Sequence, residues 1–522
     1  MYKMTLLLNT VMNSNIFFLL IPLILSAYTH LWNPLGFPVG PSYDENIYLR
    51  RTMNVLTNLG PQESELYDHP YFLQIFLGGI LLLIGYPNLL HPTVGDVVSV
   101  DLLYLVPKLI MGILAIVDTF LVYKIAECYY NDYKNNIKIA FIASTLFAVM
   151  PMALMIRTVW LEPVQLPFLL SSILFATYVK KGSVKEDNCR NNNRKVLILI
   201  SLSGIFLGVA IFTKIPAFTF TLLVGYLLFS NFSNINKGSN INNAKSKTII
   251  SWLVTVFSIP SIWPIYALYS DHFNAWLKGI LFQTHRRVQS FISSIKYDFF
   301  NIDPVFMAIG FAGFIFTGII KRDLLILLWI IPFMVFLYAI GFVSYWHLIP
   351  IFPALSIAAA KIIVDLSNIG IITNKKKNKK NIQHILPYLV VSGITLFGIV
   401  NTTKIISENT NVNNPYFEAA AFVVKYLQDH HNDKFTVISN PFYSWIPFYV
   451  FNLHYDSIDY YDSPVSVKTK RVLLVSDPVL IDRSNHNMVD KAIKKYLYGA
   501  DKVLTFDDKN PYTNNKVTIY IH

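Results

Sequence analysis

The side chains best suited to chemistry stand in two short polar intervals between apolar segments. Asp44 and Glu45 lie in "YDENIYLRR", and Asp68 and His69 lie in "YDHP" a little further on. A carboxylate at an apolar boundary loses hydration, which raises its pKa and makes it a better general base. The plain alternative is an ordinary solvated loop acid.

The order of residues in these intervals leaves two further alternatives open. On a helix, the adjacent Asp44 and Glu45 point about 100° apart, so one could face a cavity while the other pairs with Arg50 or Arg51. Asp68 or His69 could cap a helix that begins at the following proline. His69 could instead reach a phosphate or an acceptor.

Further ionisable residues recur at the ends of later apolar runs: Arg157, Glu162, Lys214, His285, Arg286 and His347. Arg157 and Glu162 flank "TVWL" and either line a site or form a structural ion pair. Lys214 either binds an anion at the membrane boundary or snorkels to the surface. The Arg286 side chain and its arginine neighbour offer bidentate phosphate recognition, or contact with lipid headgroups. Together these cations suit a substrate with a lipid tail and a phosphate head.

Composition places the elements that carry these residues in a membrane. The chain of 522 residues is 54% hydrophobic and 14% charged, which is far fewer charges than soluble proteins carry. The net charge of +12 clusters in short loops, as the positive-inside rule predicts, so we expect membrane lipids and no nucleic acid as partners. We predict a multi-pass protein of the plasma membrane.

Apolar runs predict about eleven transmembrane helices. They lie at 15–32, 101–125, 138–155, 164–179, 196–213, 215–230, 248–269, 304–320, 323–342, 346–364 and 382–401. This register puts the basic loops 180–195, 236–247, 321–323 and 375–380 on the inner side together. The run 70–87 is short and rich in glycine, and we predict that it leans on the outer leaflet without crossing. Asp44 and Glu45 then share the outer face with Arg157 and Glu162.

After residue 402 the pattern changes from membrane runs to short strands and helices. "KFTVISN", "RVLLVSD", "KVLTF" and "VTIYIH" read as strands, "FEAAAFVVKYLQ" as a helix, and "HNMVDKAIKKYL" as a polar helix. We predict a membrane domain over 1–401, with a first external loop at 33–100, and an extracytoplasmic α/β domain over 402–522. No nucleotide-binding Gly-rich loop and no HExxH motif occurs in the sequence.

Six segments occur in an order that resembles the GT-C membrane glycosyltransferases. They are "YDENIYLRRTMNVL", "YDHPYFLQIFLGGILLLIGYP", "RTVWLEPVQLPFLLSSILFA", "LGVAIFTKIPAF", "FQTHRRVQSF" and "YWHLIPIFPALSIAAA". The resemblance is to the group that contains protein O-mannosyltransferases and aminoarabinose transferases. Two departures stand out: Tyr71 follows His69-Pro70 where the family has a second proline, and Glu162 replaces the commoner aspartate.

The resemblance implies a GT-C fold and an inverting transfer of a mannose-like hexose from a polyprenyl- or dolichyl-phosphate donor. The acceptor would be a hydroxyl of a protein, lipid or glycan at the outer face. Asp44 would be the general base or would orient the acceptor, with Glu45 in support. Lys214 and Arg286 would contact the lipid phosphate, and the remaining substrate-binding candidates would be Asp68, His69, Arg157, Glu162, His285 and His347.

The sequence requires no cofactor for this chemistry, although Asp44, Glu45, Asp68 and Glu162 could supply oxygen ligands to a divalent cation. One rival is a transporter or flippase for a lipid-linked glycan, which needs polar residues at midplane depth. Lys108 and Asp118 are the main ionisable residues within the predicted spans. A second rival is a non-catalytic sugar-binding subunit.

Overall fold

The structure is a computed structural model of the full chain in which most residues are described. The described residues are 14–37, 43–62, 67–90, 97–131, 133, 135–182, 189–230, 241–285, 292–293, 296, 301–341, 344–372, 379–410, 412–459, 467–478, 480–481, 491–508 and 515–522. The predicted inner loop 180–195 and the basic segment 375–380 lie partly outside these ranges, and Arg286 lies wholly outside them.

A helical bundle makes up the first four fifths of the chain. In chain order its helices are α1 Ser14–Leu31, α2 Tyr43–Leu56, α3 Phe72–Ile84, α4 Val97–Tyr129, α5 Asn136–Val149, α6 Leu161–Gly182, α7 Cys189–Thr213, α8 Thr221–Phe229, α9 Ile241–Ser258, α10 Ile262–Tyr269, α11 Phe273–His285, α12 Pro304–Gly313, α13 Leu324–Ile340, α14 Phe352–Ile372 and α15 Lys379–Glu408. Shorter helical segments connect them at Pro151–Arg157, Ile215–Phe220, Phe314–Ile320 and Tyr345–Ile351.

Each predicted apolar run has a helical counterpart, but the number of membrane crossings is not established. Among the described residues, five helices are long and apolar enough to cross a membrane, and eight if each of three bent pairs counts as one span. The pairs bend by 69°, 45° and 113°. The predicted polytopic helical architecture is therefore confirmed, while the count of eleven stays a prediction.

The break after α5 is stabilised by side chains from α1. Pro151 cannot continue the helix because it lacks a backbone N–H, and the chain goes on as a 3₁₀ segment. Thr29 Oγ1 donates to the Ala148 carbonyl at 2.8 Å, and His30 Nε2 donates to the Ala153 carbonyl at 3.2 Å. The carbonyl groups freed by the break thus keep hydrogen-bond partners inside the bundle.

The two ends of the bundle differ in chemistry. At one end Tyr130 donates to Asp323 Oδ2 at 2.7 Å, and the Lys138 ammonium stands 5.8 Å from the Tyr388 ring. The first of these contacts ties the end of α4 to the predicted inner segment 321–323. The acids of the first loop lie at the opposite end, as described below. Which side of a membrane each end faces stays a prediction.

Helix α3 is too short to cross a bilayer by itself. Its 13 residues span about 20 Å at 1.5 Å each, against a hydrocarbon core of about 30 Å. Leu73 and Leu77 are buried, whereas Leu83 is 88% exposed. This one-sided burial supports the prediction of a helix that does not cross. The helix begins at Phe72, with Tyr71 as its N-cap and no side-chain capping bond, so Asp68 and His69 do not cap it.

The C-terminal part contains a five-stranded mixed sheet. Its strands are β1 Phe435–Ser439, β2 Asp456–Asp459, β3 Arg471–Ser476, β4 Lys502–Asp507 and β5 Lys516–Ile521, in the order β2-β1-β3-β5-β4. β1 is parallel to β2 and β3, and β5 is antiparallel to β3 and β4. The four strands predicted from sequence are present. β2 was missed because its sequence, "DSID", is polar.

Helices flank this sheet and connect it to the bundle. They are α16 Asn414–Asp429, α17 Pro441–Trp445 and α18 Lys491–Lys494. α16 matches the predicted helix, and α18 matches the end of the predicted polar helix, whose residues 486–490 lie outside the described ranges. The boundary predicted at 402 falls inside α15, and the division into two domains stays a prediction.

Aromatic packing joins the C-terminal part to the acid-bearing end of the bundle. The Tyr104 ring of α4 lies 5.4 Å from Phe417 and 5.6 Å from Phe442 between centroids. Its hydroxyl donates to Asn46 Oδ1 of α2 at 2.5 Å. The sheet region therefore rests on the helix that carries Asp44 and Glu45.

Candidate active site

Helix α2 holds the two adjacent acids in its first turn, where the helix dipole favours negative charge. Glu45 points into the bundle and is fully buried. Its Oε2 lies 3.6 Å from Lys108 Nζ, and its Oε1 accepts from the Val159 N–H at 3.2 Å. Glu45 therefore has a charge partner on α4, in Lys108, that the sequence did not suggest, and the pairing of one acid of the doublet with Arg50 or Arg51 stays a prediction.

Asp44 is half-buried on a different face of the helix. One turn later Tyr48 is 5% exposed. Burial raises the pKa of Tyr48 well above its ordinary value, and the carboxylates of Asp44, Asp68 and Glu162 raise it further. The Arg51 charge acts in the opposite direction. These three acids from separate segments are thus near enough to Tyr48 to act on its charge. We call Asp44, Tyr48, Asp68 and Glu162 the acid cluster.

Asp68 belongs to an ion pair with the same helix. Arg51 Nη1 donates to Asp68 Oδ1 at 2.9 Å, with Arg51 fully buried and Asp68 23% exposed. Burial alone would raise the pKa of Asp68, but the charges of Arg51 and His69 outweigh it and hold that pKa below its usual value. His69 is half-buried, and its ring lies 6.5 Å from Tyr48.

Glu162 and Lys214 form a second, more deeply buried pair. Lys214 Nζ donates to Glu162 Oε1 in a short contact, and the two side chains are 10% and 3% exposed, with Lys214 the more exposed. Gln165 Nε2 donates to the Lys214 carbonyl at 2.7 Å and fixes the backbone. Lys214 has no acid near it in sequence, so only the packing of α6 on the end of α7 reveals its partner.

Of the two alternatives for Arg157 and Glu162, the structural ion pair is not formed. Its guanidinium is fully buried, and Nη2 donates to the Trp32 carbonyl at 2.8 Å and to the Asn33 carbonyl. Arg157 therefore holds the end of α1 to the start of α6. Its Nε and Nη1 have no hydrogen-bond partner among the described residues.

The predicted histidines fall at more peripheral positions. His347 Nδ1 accepts from the Ser344 N–H at 2.9 Å and completes a capping box. The neighbouring Trp346 ring lies 5.0 Å from the Trp160 ring, at a tilt of 48°, so this segment lies next to the one that carries Glu162. His285 is exposed at the end of α11, and its ring contacts the Leu281 carbonyl. Among the described residues, His285 makes no hydrogen bond to the acid cluster.

The acids do not form a metal site in the part of the chain that the structure describes. A divalent cation needs several oxygen ligands directed at one point. Glu45, Asp68 and Glu162 instead each face a cation of the chain, and the described residues hold no group of three or more metal-ligating side chains. These described residues are not arranged as ligands of a metal ion, and the divalent cation that the sequence allowed stays a prediction.

The arrangement can perform proton transfer and can stabilise an anion. Asp44 is partly open to solvent, Arg51 acts on the charge of the Tyr48 phenol, and Lys214 pairs with Glu162 of the same cluster. Sequence reasoning missed Tyr48 and the partners Arg51 of Asp68 and Lys108 of Glu45. Tyr48 could have been found from the sequence, because it lies one helical turn after Asp44.

No family model matches the sequence, and no curated protein matches it. Solved structures do resemble the chain. The oligosaccharyltransferase of Archaeoglobus fulgidus, tethered to an acceptor peptide, aligns over 89% of this chain and 69% of its own, with TM-score 0.57 and 13% identity. The same archaeal protein, AglB, in complex with an inhibitory peptide and a dolichol-phosphate, gives TM-score 0.53 over 96% of this chain and 74% of its own at 12% identity.

ArnT from Cupriavidus metallidurans matches along nearly the whole of both chains. In the apo state it aligns over 96% of this chain and 97% of its own, with TM-score 0.54 and 12% identity. That protein is also known in a structure bound to undecaprenyl phosphate. At such identities the likeness establishes the fold, so the GT-C fold that the six segments predict is confirmed.

Proposed function

We propose that this protein is a membrane glycosyltransferase that uses a polyprenyl-phosphate sugar as its donor. The acceptor is a hydroxyl at the outer face of the membrane, and the sugar is a mannose-like hexose, as the sequence resemblance implies. The observation that carries the proposal is the acid cluster, in which Asp44 stands beside two acid–cation pairs at one end of the bundle.

The proposed reaction is a single displacement with inversion. The Asp44 carboxylate takes the proton of the acceptor hydroxyl, and the oxygen attacks the anomeric carbon from the side opposite the phosphate. The bond between the anomeric carbon and the phosphate oxygen breaks, and its electron pair leaves with the polyprenyl phosphate. Lys214 stabilises the charge that develops on this oxygen, and Glu162 orients the ammonium.

Two features support the choice of donor. Structures of the similar proteins contain a dolichol-phosphate in one case and undecaprenyl phosphate in the other. In this chain the acid cluster borders the short helix α3 through Asp68, and α3 exposes Leu82 and Leu83. A lipid-linked phosphate at a membrane surface would meet the acid cluster from this side. The proposed plasma-membrane location and outward-facing site follow from the positive-inside rule.

The experiment is sugar transfer by the purified protein in lipid nanodiscs. Dolichyl-phosphate mannose serves as donor, and a panel of peptides and glycans serves as acceptors. We expect Asp44→Asn to lower kcat by about 10²–10⁴, the usual contribution of a general base, while donor binding persists. The matched control is Asp429→Asn, which alters an exposed acid at the end of α16 and should leave kcat unchanged.

Unchanged transfer by Asp44→Asn would reject Asp44 as the base. Absence of transfer by the wild type, across donors and acceptors, would instead favour a lipid-linked-glycan transporter or a sugar-binding subunit. A flipping assay with fluorescent polyprenyl-phosphate sugar in liposomes distinguishes these two, because only a transporter moves the label between leaflets.

A further inference from the structure

Helices α7 and α9 approach most closely at a pair of glycines four residues apart. A Cβ atom on Gly204 would lie 3.0 Å from Trp252 Cδ1, and one on Gly208 would lie 3.0 Å from the Val256 carbonyl oxygen. Small residues at this spacing let the backbones of membrane helices come together. The two helices are therefore in tight contact at the level of Gly204 and Gly208.

A groove lies between the same helices on the N-terminal side of this contact. Its volume is about 190 Å³. Its polar lining consists of Ser201, Lys247, Thr248, Ser251, Trp252 and Thr255. α7 and α9 begin within the predicted inner loops 180–195 and 236–247, so the groove lies at the end of the bundle opposite the acid cluster.

The lining is chemically suited to an anion. It offers an ammonium group and four hydroxyls but no carboxylate, and one of these hydroxyls, that of Thr255, already donates to the Ser251 carbonyl. Trp252 is 3% exposed, and its Nε1 has no hydrogen-bond partner among the described residues. Arg194 stands seven residues before Ser201 on α7, which places a second exposed cation on the same helical face. A phosphate oxygen in the groove would accept from these donors.

The surroundings of the groove are apolar and exposed. Leu197 on α7 is 54% exposed, and Ile250 and Val254 on α9 are 57% and 60% exposed. These side chains belong to helices long and apolar enough to cross a membrane, alone or as a bent pair, so in the bilayer they face acyl chains. An anion in this groove therefore has hydrocarbon directly beside it.

We propose that the groove binds the phosphate headgroup of an acidic phospholipid, with the acyl chains along Leu197, Ile250 and Val254. Cationic pockets between transmembrane helices at the inner face attract anionic lipids, since the inner leaflet carries most of them. The apolar flanks favour a lipid over free phosphate. This site is independent of the proposed sugar transfer, since it lies at the other end of the bundle.

The test measures retention of phosphatidylglycerol by native mass spectrometry of the purified full-length protein. We expect Lys247→Gln to weaken the apparent affinity about fivefold, in line with about 1 kcal/mol for each basic residue near anionic lipid. Ser251→Ala, which removes the hydroxyl without adding bulk, should weaken it as well. Lys138→Gln, at the same end but beside Tyr388, should retain the wild-type affinity.

Two competing ligands show whether the groove binds a lipid phosphate or free inorganic phosphate. Phosphatidylcholine should bind more weakly than phosphatidylglycerol, because its choline group cancels the headgroup charge. Millimolar inorganic phosphate should not displace phosphatidylglycerol. Displacement by inorganic phosphate would overturn the lipid assignment, and equal loss of affinity in Lys247→Gln and Lys138→Gln would overturn the groove itself.

Discussion

At the scale of single residues, the buried end of the bundle is organised by acid–cation pairs. Glu45 and Lys108 are 0% and 2% exposed, and their charged atoms are 3.6 Å apart. Removing both charges from water costs several kcal/mol per ion, which the attraction between them offsets only when both are present. The pair therefore fixes how α2 sits on α4 more than it adds net stability.

Because both charges are buried, the losses of stability caused by substituting Glu45 and Lys108 should not add. We expect Glu45→Gln or Lys108→Met alone to lower the free energy of unfolding by about 3 kcal/mol, because each leaves the other charge buried. The double variant should recover most of that loss. Unfolding in detergent, followed by tryptophan fluorescence, measures the stability of the two single variants and the double variant.

Transfer activity of the double variant then decides whether Glu45 supports catalysis, as the sequence suggested, or only positions α2. Additive losses in the double variant would contradict the pairing.

Sequence reasoning found the acids but not their partners. Asp44, Glu45 and Asp68 attract attention because they interrupt apolar sequence. Their cations are set by packing: Glu45 meets Lys108 from α4, and Glu162 meets Lys214 from the end of α7. Neither pair has a local spacing that could reveal it. The alternative of an Arg157–Glu162 ion pair could not be decided from the sequence for the same reason, since Arg157 donates to backbone carbonyls at the end of α1 instead.

At the scale of elements, helix α11 is held tightly against the loop that carries Asp68. A Cβ atom on Gly279 would lie 1.9 Å from the Tyr67 carbonyl oxygen and 3.3 Å from the Asp68 nitrogen. The Tyr67 hydroxyl also shares a hydrogen bond with His272 Nδ1 at 2.9 Å. The position of α11 thus determines where the Asp68–Arg51 pair can lie.

Substitution of Gly279 should disturb the acid cluster from a distance. We expect Gly279→Ala to destabilise the protein by about 1–3 kcal/mol, the usual cost of overpacking, because the new methyl group collides with the Tyr67 backbone. Sugar transfer should fall as Asp68 shifts. Thermal unfolding in detergent and the nanodisc transfer assay give the two readouts.

The matched control for this prediction lies on α3. A Cβ atom on Gly79 meets nothing within 4 Å, so Gly79→Ala should be neutral or should stabilise by up to about 1 kcal/mol through helix propensity. If Gly279→Ala behaves like Gly79→Ala, the contact between α11 and the loop does not constrain the site.

Elements were easier to predict than their bends and borders. Apolar length locates the helices, and buried hydrophobic runs locate four strands. The sequence predicts a single run, 138–155, across the break between α5 and the segment after Pro151, because both halves are equally apolar. The structure tolerates this 69° bend because Thr29 and His30 from α1 bind the freed carbonyls. Such compensation comes from another helix and has no local signature.

At the scale of the whole molecule, the C-terminal sheet region and the acid-bearing loop share one interface. Asn413 Nδ2 donates to the Leu35 carbonyl just after α1. Tyr104 joins Phe417 and Phe442 by ring contact and Asn46 by a hydrogen bond. The sequence predicted the sheet region as a separate unit, because composition cannot show which surface such a unit covers.

This interface predicts that damage in the C-terminal part reaches α2. Phe442 is 1% exposed, and its ring contacts Tyr104, so Phe442→Ala should cost about 3–5 kcal/mol through the cavity it leaves. With Tyr104 loosened, the hydrogen bond to Asn46 weakens, and amide hydrogen exchange over residues 43–56 should accelerate.

Phe448→Ala, at a side chain that is 40% exposed in the same region, should leave that exchange unchanged. Exchange measured by mass spectrometry decides the matter: if Phe442→Ala speeds exchange in the sheet but not in α2, the two parts are independent units and the sheet region does not position Asp44.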